Sequence, residues 1–234
     1  ELRARLHGAG LEQVLINSPS GDRAGGERGT ACLPGRRAEF RASMHRALEY
    51  AAALGCKTVH VMAGIRPDTL PYGTAATLYA VNLSWACELA ASAGVRLVIE
   101  AINQRDIPGY FLRTQEQAVD VIKALGQGCL GLQLDLYHCQ TAQGDLSRRL
   151  EAFLQSAQGD LSRRLEAFLP VVKHLQVADV PGRHEPGTGE INWDYLFRRL
   201  AELGYQDWIG CEYEPLTTTE AGLAWRERYG LRPG

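Results

Sequence analysis

Four oxygen-bearing side chains stand at regular intervals along this sequence, each at the end of a strand-like segment. They are Glu100 in VRLVIEAIN, Asp135 in LGLQLDLYH, Gln176 in VKHLQVADV and Glu212 in WIGCEYEP. The intervals between them are 35, 41 and 36 residues, about what one strand and one returning helix occupy in a parallel α/β fold. Because the carboxyl ends of parallel strands meet at one rim, these four groups are predicted to converge on one point.

The ligand types predict which cation such a point would hold. Three carboxylates and one amide oxygen make an all-oxygen set that favours Mg²⁺ or Mn²⁺ over zinc, whose usual ligands are cysteine and histidine. The residue types do not separate Mg²⁺ from Mn²⁺. Taken singly, a residue such as Asp135 could equally cap the next helix. Four strands in succession that end in this way favour the metal site, and no organic cofactor is needed.

Two further residues are predicted to contact the substrate. His138, three residues after Asp135, could donate a hydrogen bond or move a proton near the metal, although a structural histidine is an equal alternative. Arg183, in the PGRHEPG loop, offers the forked geometry that binds a carboxylate, and a surface arginine is the alternative. His60 and Asn17 also end strands, but packing or capping explains them as well, so they are left outside the catalytic set.

Local signals predict where the elements that carry these residues begin and end. Gly55 is expected to end the helix that starts at Glu39, and Thr114 with Gln117 is expected to cap the helix of QEQAVDVIKAL. Residues 18–37 predict a long loop after the first strand, and the apolar run in VRLVIEAIN predicts a strand covered on both faces. One last helix is expected through Trp225.

These elements alternate between strand and helix, without hairpin signals, as in a parallel sheet with right-handed crossovers. Six strand ends are found, whereas a closed (β/α)₈ barrel needs eight strands. We predict an incomplete TIM-type (β/α)₈ barrel with about six of its eight βα units, in one truncated domain over residues 1–234. The missing part would be the amino-terminal strand–helix–strand, because the chain starts within a helical pattern. A doubly wound open sheet is the alternative, and converging ligands favour the barrel.

A tandem duplication interrupts the unit between Asp135 and Gln176. The segment AQGDLSRRLEAFL occurs at 142–154 and again, unchanged, at 157–169, with a period of 15 residues. Identity this complete indicates a recent duplication, not a solenoid of diverged repeats. We predict two successive short helices here, on the outside of the barrel and away from the rim.

Composition narrows the class of partner. A net charge of −2 and a pI near 6.3 argue against nucleic acid, which usually requires a basic face, and no segment is long and apolar enough for a membrane. The six cysteines form no CxxC pair and indicate reduced thiols in a cytoplasmic protein. A small molecule is the expected partner. Strand edges left open by an incomplete barrel make a homo-oligomer possible.

Several motifs together resemble one family. NSPSGD, LPGR, VHVMAG, INQRDIPGYFL, LDLYH, HLQVADVPGRHEP, GEINWDYLF and GCEYEP are similar to the hydroxypyruvate isomerases of the xylose isomerase-like TIM-barrel superfamily. The resemblance implies reversible isomerisation of hydroxypyruvate and 2-hydroxy-3-oxopropanoate (tartronate semialdehyde), a small hydroxy-keto acid. It also implies that Glu100 and Glu212 are the acid/base pair, and it assigns no order to them. Related ketose 3-epimerases usually carry histidine where this chain has Gln176.

Three alternatives differ from this expectation. The chain could be an inactive or binding-only truncated product, since an unclosed barrel need not preorganise its ligands. It could be a related metal-dependent ketose epimerase. A phosphodiesterase of the superfamily's endonuclease branch is disfavoured. It would need several more histidines at the rim, whereas the sequence has six and few of them lie at strand ends, and it would need a basic groove.

Overall fold

A computed structural model describes residues 1–126, 128, 130–143 and 171–231. The chain divides into two compact units, Glu1–Gln133 and Leu134–Gly234, and each is described by itself. The two short helices predicted for the duplicated stretch lie outside the described residues. Among the described helices, none combines the length and apolar character that crossing a membrane requires.

The first unit alternates helices and strands from its start. Its elements are α1 (Leu2–Gly8), β1 (Ile16–Asn17), α2 (Arg37–Leu54), β2 (Thr58–His60), α3 (Tyr72–Ser92), β3 (Arg96–Glu100), α4 (Gln115–Leu125) and β4 (Leu130–Asp135). The last two residues of β4 belong to the second unit.

The strands of the first unit pair in chain order, and every pairing is parallel. β1 pairs with β2, β2 with β3 and β3 with β4, with Val98 opposite both His60 and Gly131 in the register. In β3 the apolar residues Leu97, Val98 and Ile99 are fully buried, as expected for a strand covered on both faces. The predicted parallel arrangement with helical crossovers is confirmed in this unit.

Local signals set the ends of the first unit's helices. α2 ends at Gly55, whose φ of 73° is left-handed and whose N–H bonds to the carbonyl oxygens of Ala51 and Ala52, as the sequence predicted. At the start of α4 the Thr114 hydroxyl accepts from the Gln117 N–H at 3.2 Å, and the Gln117 side chain accepts from the Arg113 N–H at 2.8 Å. This reciprocal pair is the predicted capping arrangement, displaced by one residue at its second bond.

The long loop predicted between β1 and α2 is present and is tied to α2. The Arg36 guanidinium donates to the Glu27 carboxylate at 2.6 and 3.1 Å and also pairs with Glu39 in the first turn of α2. Gly29 passes so close to the next strand's end that a Cβ there would lie 2.2 Å from the Met62 carbonyl oxygen. A residue with a side chain would force the loop away.

The second unit continues the alternation. Its elements are α5 (Leu136–Gln143), β5 (Val172–Val177), α6 (Trp193–Glu202), β6 (Ile209–Cys211), α7 (Thr219–Gly222) and α8 (Trp225–Arg228). β5 and β6 are parallel, with Gln176 opposite Gly210 in the register. The chain after β6 forms two short helices where the sequence predicted one. Six strands in the described residues match the predicted number of βα units.

Aromatic packing holds α6 in the second unit. Phe197 stacks on Trp193 and Trp225 at centroid distances of 5.5 and 5.4 Å, and it lies 4.5 Å from the ring of Tyr229. The apolar face of α6 is buried at Trp193, Leu196, Phe197 and Leu200. Large aromatic surfaces of this kind supply much of the burial energy of a small unit.

Candidate active site

Asp135 stands at the junction between β4 and α5, where it is fully buried. Its Oδ1 accepts from the backbone N–H groups of Tyr137 at 2.7 Å and His138 at 3.1 Å. Its Oδ2 lies 3.8 Å from both His138 Nε2 and Arg183 Nη2. One carboxylate oxygen therefore caps the helix, as the alternative interpretation held, and the other faces the charged groups of the site.

Arg183 is the centre of this cluster. Its Nη2 lies 3.2 Å from Glu212 Oε1, its Nε donates to the Glu212 carbonyl oxygen at 3.4 Å, and its Cζ lies 4.8 Å from the centroid of the Tyr137 ring. Only 30% of its side chain is exposed. A guanidinium between two carboxylates and over an aromatic face is held by charge and by the ring quadrupole. The guanidinium is therefore fixed by several contacts while part of it stays accessible.

Glu212 follows β6 directly, and its N–H extends the ladder to β5 by donating to the Val177 carbonyl oxygen at 3.3 Å. Although 47% of its side chain is exposed, partial removal from water raises the pKa of its carboxyl group. The negative charge of Asp135 raises that pKa further, while Arg183 and His138 oppose the shift. A carboxyl group whose pKa is raised in this way holds a proton more readily than an ordinary glutamate, which suits it to proton transfer.

Gln176 lies on β5, beside β6, and is half-buried. A Cβ placed on its register partner Gly210 would lie 3.4 Å from Gln176 Cγ and 2.9 Å from His174 Nε2. The side chains of Gln176 and His174 therefore face the same side of the strand, over the glycine. Glycine at 210 leaves the space that both side chains occupy.

Within the second unit, the structure brings together four of the predicted residues. Asp135, His138, Arg183 and Glu212 are joined by the contacts given above, although they come from the ends of β4 and β6, the first turn of α5 and the loop after β5. Gln176 lies on β5 and is placed by its strand register.

Glu100 ends β3 in the first unit and is 4% exposed. Its Oε2 accepts from Gln133 Nε2 at 2.8 Å and lies 3.8 Å from His60 Nε2. His60 Nδ1 in turn lies 3.0 Å from Asn17 Oδ1. Side chains from four successive strands thus form one polar row, in the order Asn17, His60, Glu100 and Gln133.

Three members of these networks lie outside the predicted site. His60 and Asn17 also end strands, and that position is the signal that points to them. Gln133 lies two residues before Asp135 and therefore on the same face of β4. Strand ends and the alternation along β4 thus carry the signal for all three.

The donor types in both units suit a divalent cation. In the second unit, Asp135 Oδ2 and His138 Nε2 are buried and lie 3.8 Å apart. Removal from water, and after it the charge of Asp135, raises the pKa of the nearby Glu212 carboxyl group. A cation bound between the two carboxylates would favour their ionised forms. Oxygen donors with one imidazole are compatible with Mg²⁺ or Mn²⁺, and they do not distinguish these ions.

Comparisons with known proteins agree with this architecture. A family model described as "Xylose isomerase-like TIM barrel" matches residues 1–229. The chain is 44% identical to the 2-oxo-tetronate isomerase of Cupriavidus necator, over 98% of this chain and 82% of that protein. It is 40% identical to the hydroxypyruvate isomerase of Escherichia coli, over 98% of this chain and 83% of that protein.

A solved structure gives the same picture in three dimensions. The chain matches a Brucella melitensis protein described as "AP endonuclease, family 2" with a TM-score of 0.87 and 40% identity, over 97% of this chain and 82% of that one. Each of these matches extends over nearly all of the chain.

Proposed function

This chain belongs to the xylose isomerase-like TIM barrel family, and we propose that it is an isomerase that interconverts hydroxypyruvate and 2-hydroxy-3-oxopropanoate. Relatives at 44% and 40% identity that are named isomerases support the reaction type. The observation that carries the proposal is the cluster around Arg183, in which a forked cation and two carboxylates stand within 3.8 Å. Such a cluster provides both a binding group for a 2-oxo acid and groups that transfer protons.

Arg183 binds the substrate carboxylate. Its guanidinium is partly exposed and already pairs with Glu212 Oε1 at 3.2 Å, so a carboxylate ligand can take over one edge of the fork. The ring of Tyr137, 4.8 Å from Arg183 Cζ, keeps the guanidinium plane oriented during this exchange. The substrate is thereby oriented with its carbonyl and hydroxyl carbons in a fixed place.

Glu100 and Glu212 carry the two proton transfers at carbon. One of them removes a proton from C3 of hydroxypyruvate and the other delivers a proton to C2, through an enediolate. The raised pKa of Glu212 and the hydrogen bond that Gln133 donates to Glu100 support this pairing, and the order of the two residues stays open.

His138 moves the remaining proton, from the hydroxyl oxygen on C3 to the oxygen on C2. The C3–H bond breaks and a C2–H bond forms, so the composition of the substrate is unchanged. His138 Nε2 is buried beside Asp135 Oδ2 at 3.8 Å, where the carboxylate stabilises the protonated ring.

A divalent cation completes the proposal, with Glu100, Asp135, Gln176 and Glu212 as its ligands and Mg²⁺ or Mn²⁺ as the ion. When bound, it would act as a Lewis acid that lowers the energy of negative charge developing on substrate oxygens. The expected partner is a small hydroxy-keto acid, without nucleic acid or membrane. We also propose a cytoplasmic location and self-association into a homo-oligomer.

The proposal is tested by following hydroxypyruvate turnover by NMR for the wild type, Glu100→Gln and Glu212→Gln, each with Mg²⁺ or Mn²⁺. Each variant is expected to lose at least about a hundredfold in kcat, because general acid–base groups contribute about 10²–10⁴-fold. Glu220→Gln, at an exposed position in α7, is the matched control and should keep full activity. Wild-type activity in either active-site variant would remove the two-glutamate mechanism.

A second substrate is supported by a specific observation, the 44% identity to a protein named 2-oxo-tetronate isomerase. The acid in that name, 2-oxo-tetronate, has four carbons and would present the same carboxylate, carbonyl and hydroxyl groups to Arg183 and the glutamates. Parallel assays with both acids rank the two by kcat/KM. If the folded wild type turns over neither acid but epimerises a ketose, the epimerase alternative is correct. If it converts none of these substrates, it is an inactive or binding-only protein.

A further inference from the structure

Asp179 is a buried carboxylate in the loop after β5, and the mechanism above does not use it. It is 1% exposed. Its Oδ1 accepts from the N–H groups of Val180 at 2.9 Å and Ile191 at 3.2 Å. Its Oδ2 accepts from the Gly187 N–H at 2.9 Å and from Trp193 Nε1 at 2.8 Å. Four donors spread over the loop and the start of α6 thus point at one side chain.

The backbone of the same residue fixes the turn that carries Arg183. The Asp179 N–H donates to the His184 carbonyl oxygen at 2.8 Å, and the Arg183 N–H donates to the Asp179 carbonyl oxygen at 3.0 Å. Arg183 adopts a φ of 55°, which residues other than glycine rarely take. The Glu214 N–H then donates to the Arg183 carbonyl oxygen at 3.0 Å, so the turn is held from both sides.

The returning limb of the loop, which consists of Gly189 and Glu190, lies directly against Asp179. A Cβ at Gly189 would lie 2.0 Å from the Val180 carbonyl oxygen and 2.7 Å from Asp179 Oδ1. The Glu190 N–H donates to that same Val180 oxygen at 2.9 Å. The limb therefore lies against the carboxylate at a distance that only glycine at 189 allows.

We propose that Asp179 is a positioning residue, which fixes the Arg183 turn so that the guanidinium meets the substrate carboxylate. This inference rests on the function proposed above. An ionised carboxylate only accepts hydrogen bonds, whereas an amide in its place would turn an N–H₂ donor toward groups that are themselves donors. Losing one acceptor leaves a buried N–H unsatisfied and releases the loop.

The test is Asp179→Asn, which keeps the shape of the side chain. We expect KM for hydroxypyruvate to rise at least about tenfold while kcat changes less, because a misplaced Arg183 weakens substrate binding more than proton transfer. Asp194→Asn is the matched control in the same unit, since the exposed Asp194 carboxylate pairs with Arg228 and Tyr229. That variant should keep the wild-type KM.

A double-mutant cycle separates positioning from a general loss of structure. In an Arg183→Ala background, Asp179→Asn should change kcat/KM by less than about twofold, because its target is already removed. Additive losses in the double variant, or an unchanged KM in Asp179→Asn, would overturn the proposal. Trp193→Phe removes only the indole donor to Asp179, so it should also raise KM, by a smaller factor. This variant keeps the proposal testable if Asp179→Asn does not fold.

Amide hydrogen exchange gives a readout that does not depend on turnover. In Asp179→Asn, the amides of Arg183, Gly187 and Ile191 should exchange at least about tenfold faster, while those of β5 keep their protection. If the wild type turns over no substrate, the proposed function fails, and unchanged exchange at Arg183 would then reject the positioning role as well. Faster exchange confined to the loop would support that role on its own.

Discussion

His174 provides a quantitative test of the packing of β5. The residue is 5% exposed, and burial lowers its pKa from 6.5 to about 4, against the smaller opposing effect of Asp207. The ring fits here because Gly210 has no Cβ, since a Cβ there would lie 2.9 Å from His174 Nε2. Replacing His174 by glutamine removes the titrating group and keeps a polar side chain of similar length.

The sign of the pH effect follows from the two pKa values. As pH falls below 6.5, the histidine of the unfolded chain takes up a proton, whereas the folded protein keeps the ring neutral until about pH 4. The unfolded state then binds more protons, so the free energy of unfolding decreases as the pH is lowered. The contribution of the neutral His174 ring to stability is fully present above pH 6.5, and it decreases by about 2 kcal/mol between pH 7 and pH 5.

Urea unfolding at pH 7, 6 and 5, in the presence of a chelator, measures this dependence. The wild type should lose about 2 kcal/mol more than His174→Gln over that range. His7→Gln, at an exposed position in α1, is the control and should follow the wild type. If wild type and His174→Gln lose stability in parallel, the ring is protonated in the folded protein, and the packing argument for β5 is refuted.

Three further predictions address the site and its loop. Gly189→Ala should cost about 1–3 kcal/mol in urea unfolding, because its Cβ would lie 2.0 Å from the Val180 carbonyl oxygen; unchanged stability would show that the limb moves freely. Adding Mn²⁺ or Mg²⁺ to chelator-treated protein should raise Tm by several degrees, as any ligand of the folded state does, and Glu212→Gln should reduce the rise; equal shifts would place the ion elsewhere. Asn17→Ala should lower kcat/KM for hydroxypyruvate about tenfold with little loss of stability, because His60, which lies 3.8 Å from Glu100, loses its contact of 3.0 Å with Asn17 Oδ1. Unchanged kinetics would make the Asn17–His60 pair structural only.

Most of the fold was accessible from the sequence, because the signals that define its elements are local. The apolar run before Glu100 predicted a strand buried on both faces, and Leu97 to Ile99 are fully buried. Thr114 and Gly55 predicted a helix start and a helix end where the structure has them. Each of these predictions depends on a period or on a preferred backbone conformation within a few residues.

The candidate site was only partly accessible in this way. The residue types and their spacing selected Asp135, Arg183 and Glu212, which the structure joins by contacts of 3.2–3.8 Å. Sequence alone left the choice between capping and metal binding open for Asp135, and the structure shows that its Oδ1 accepts from the first turn of α5. A side chain with two oxygens can meet both demands, and no sequence pattern reports how the two are used.

The sequence by itself determined the alternation of strands and helices, the strand ends and the chemical types placed there. The tertiary structure decided which of those side chains touch. It places His60 between Asn17 and Glu100, and it lets the Asp179 carboxylate accept hydrogen bonds from the backbone of the loop that carries Arg183. The physical reason is range. Backbone preferences and hydrophobic periods act over a few neighbouring residues, whereas these contacts join residues from different strands and loops, whose distances are set only when the register and packing of the folded chain are complete.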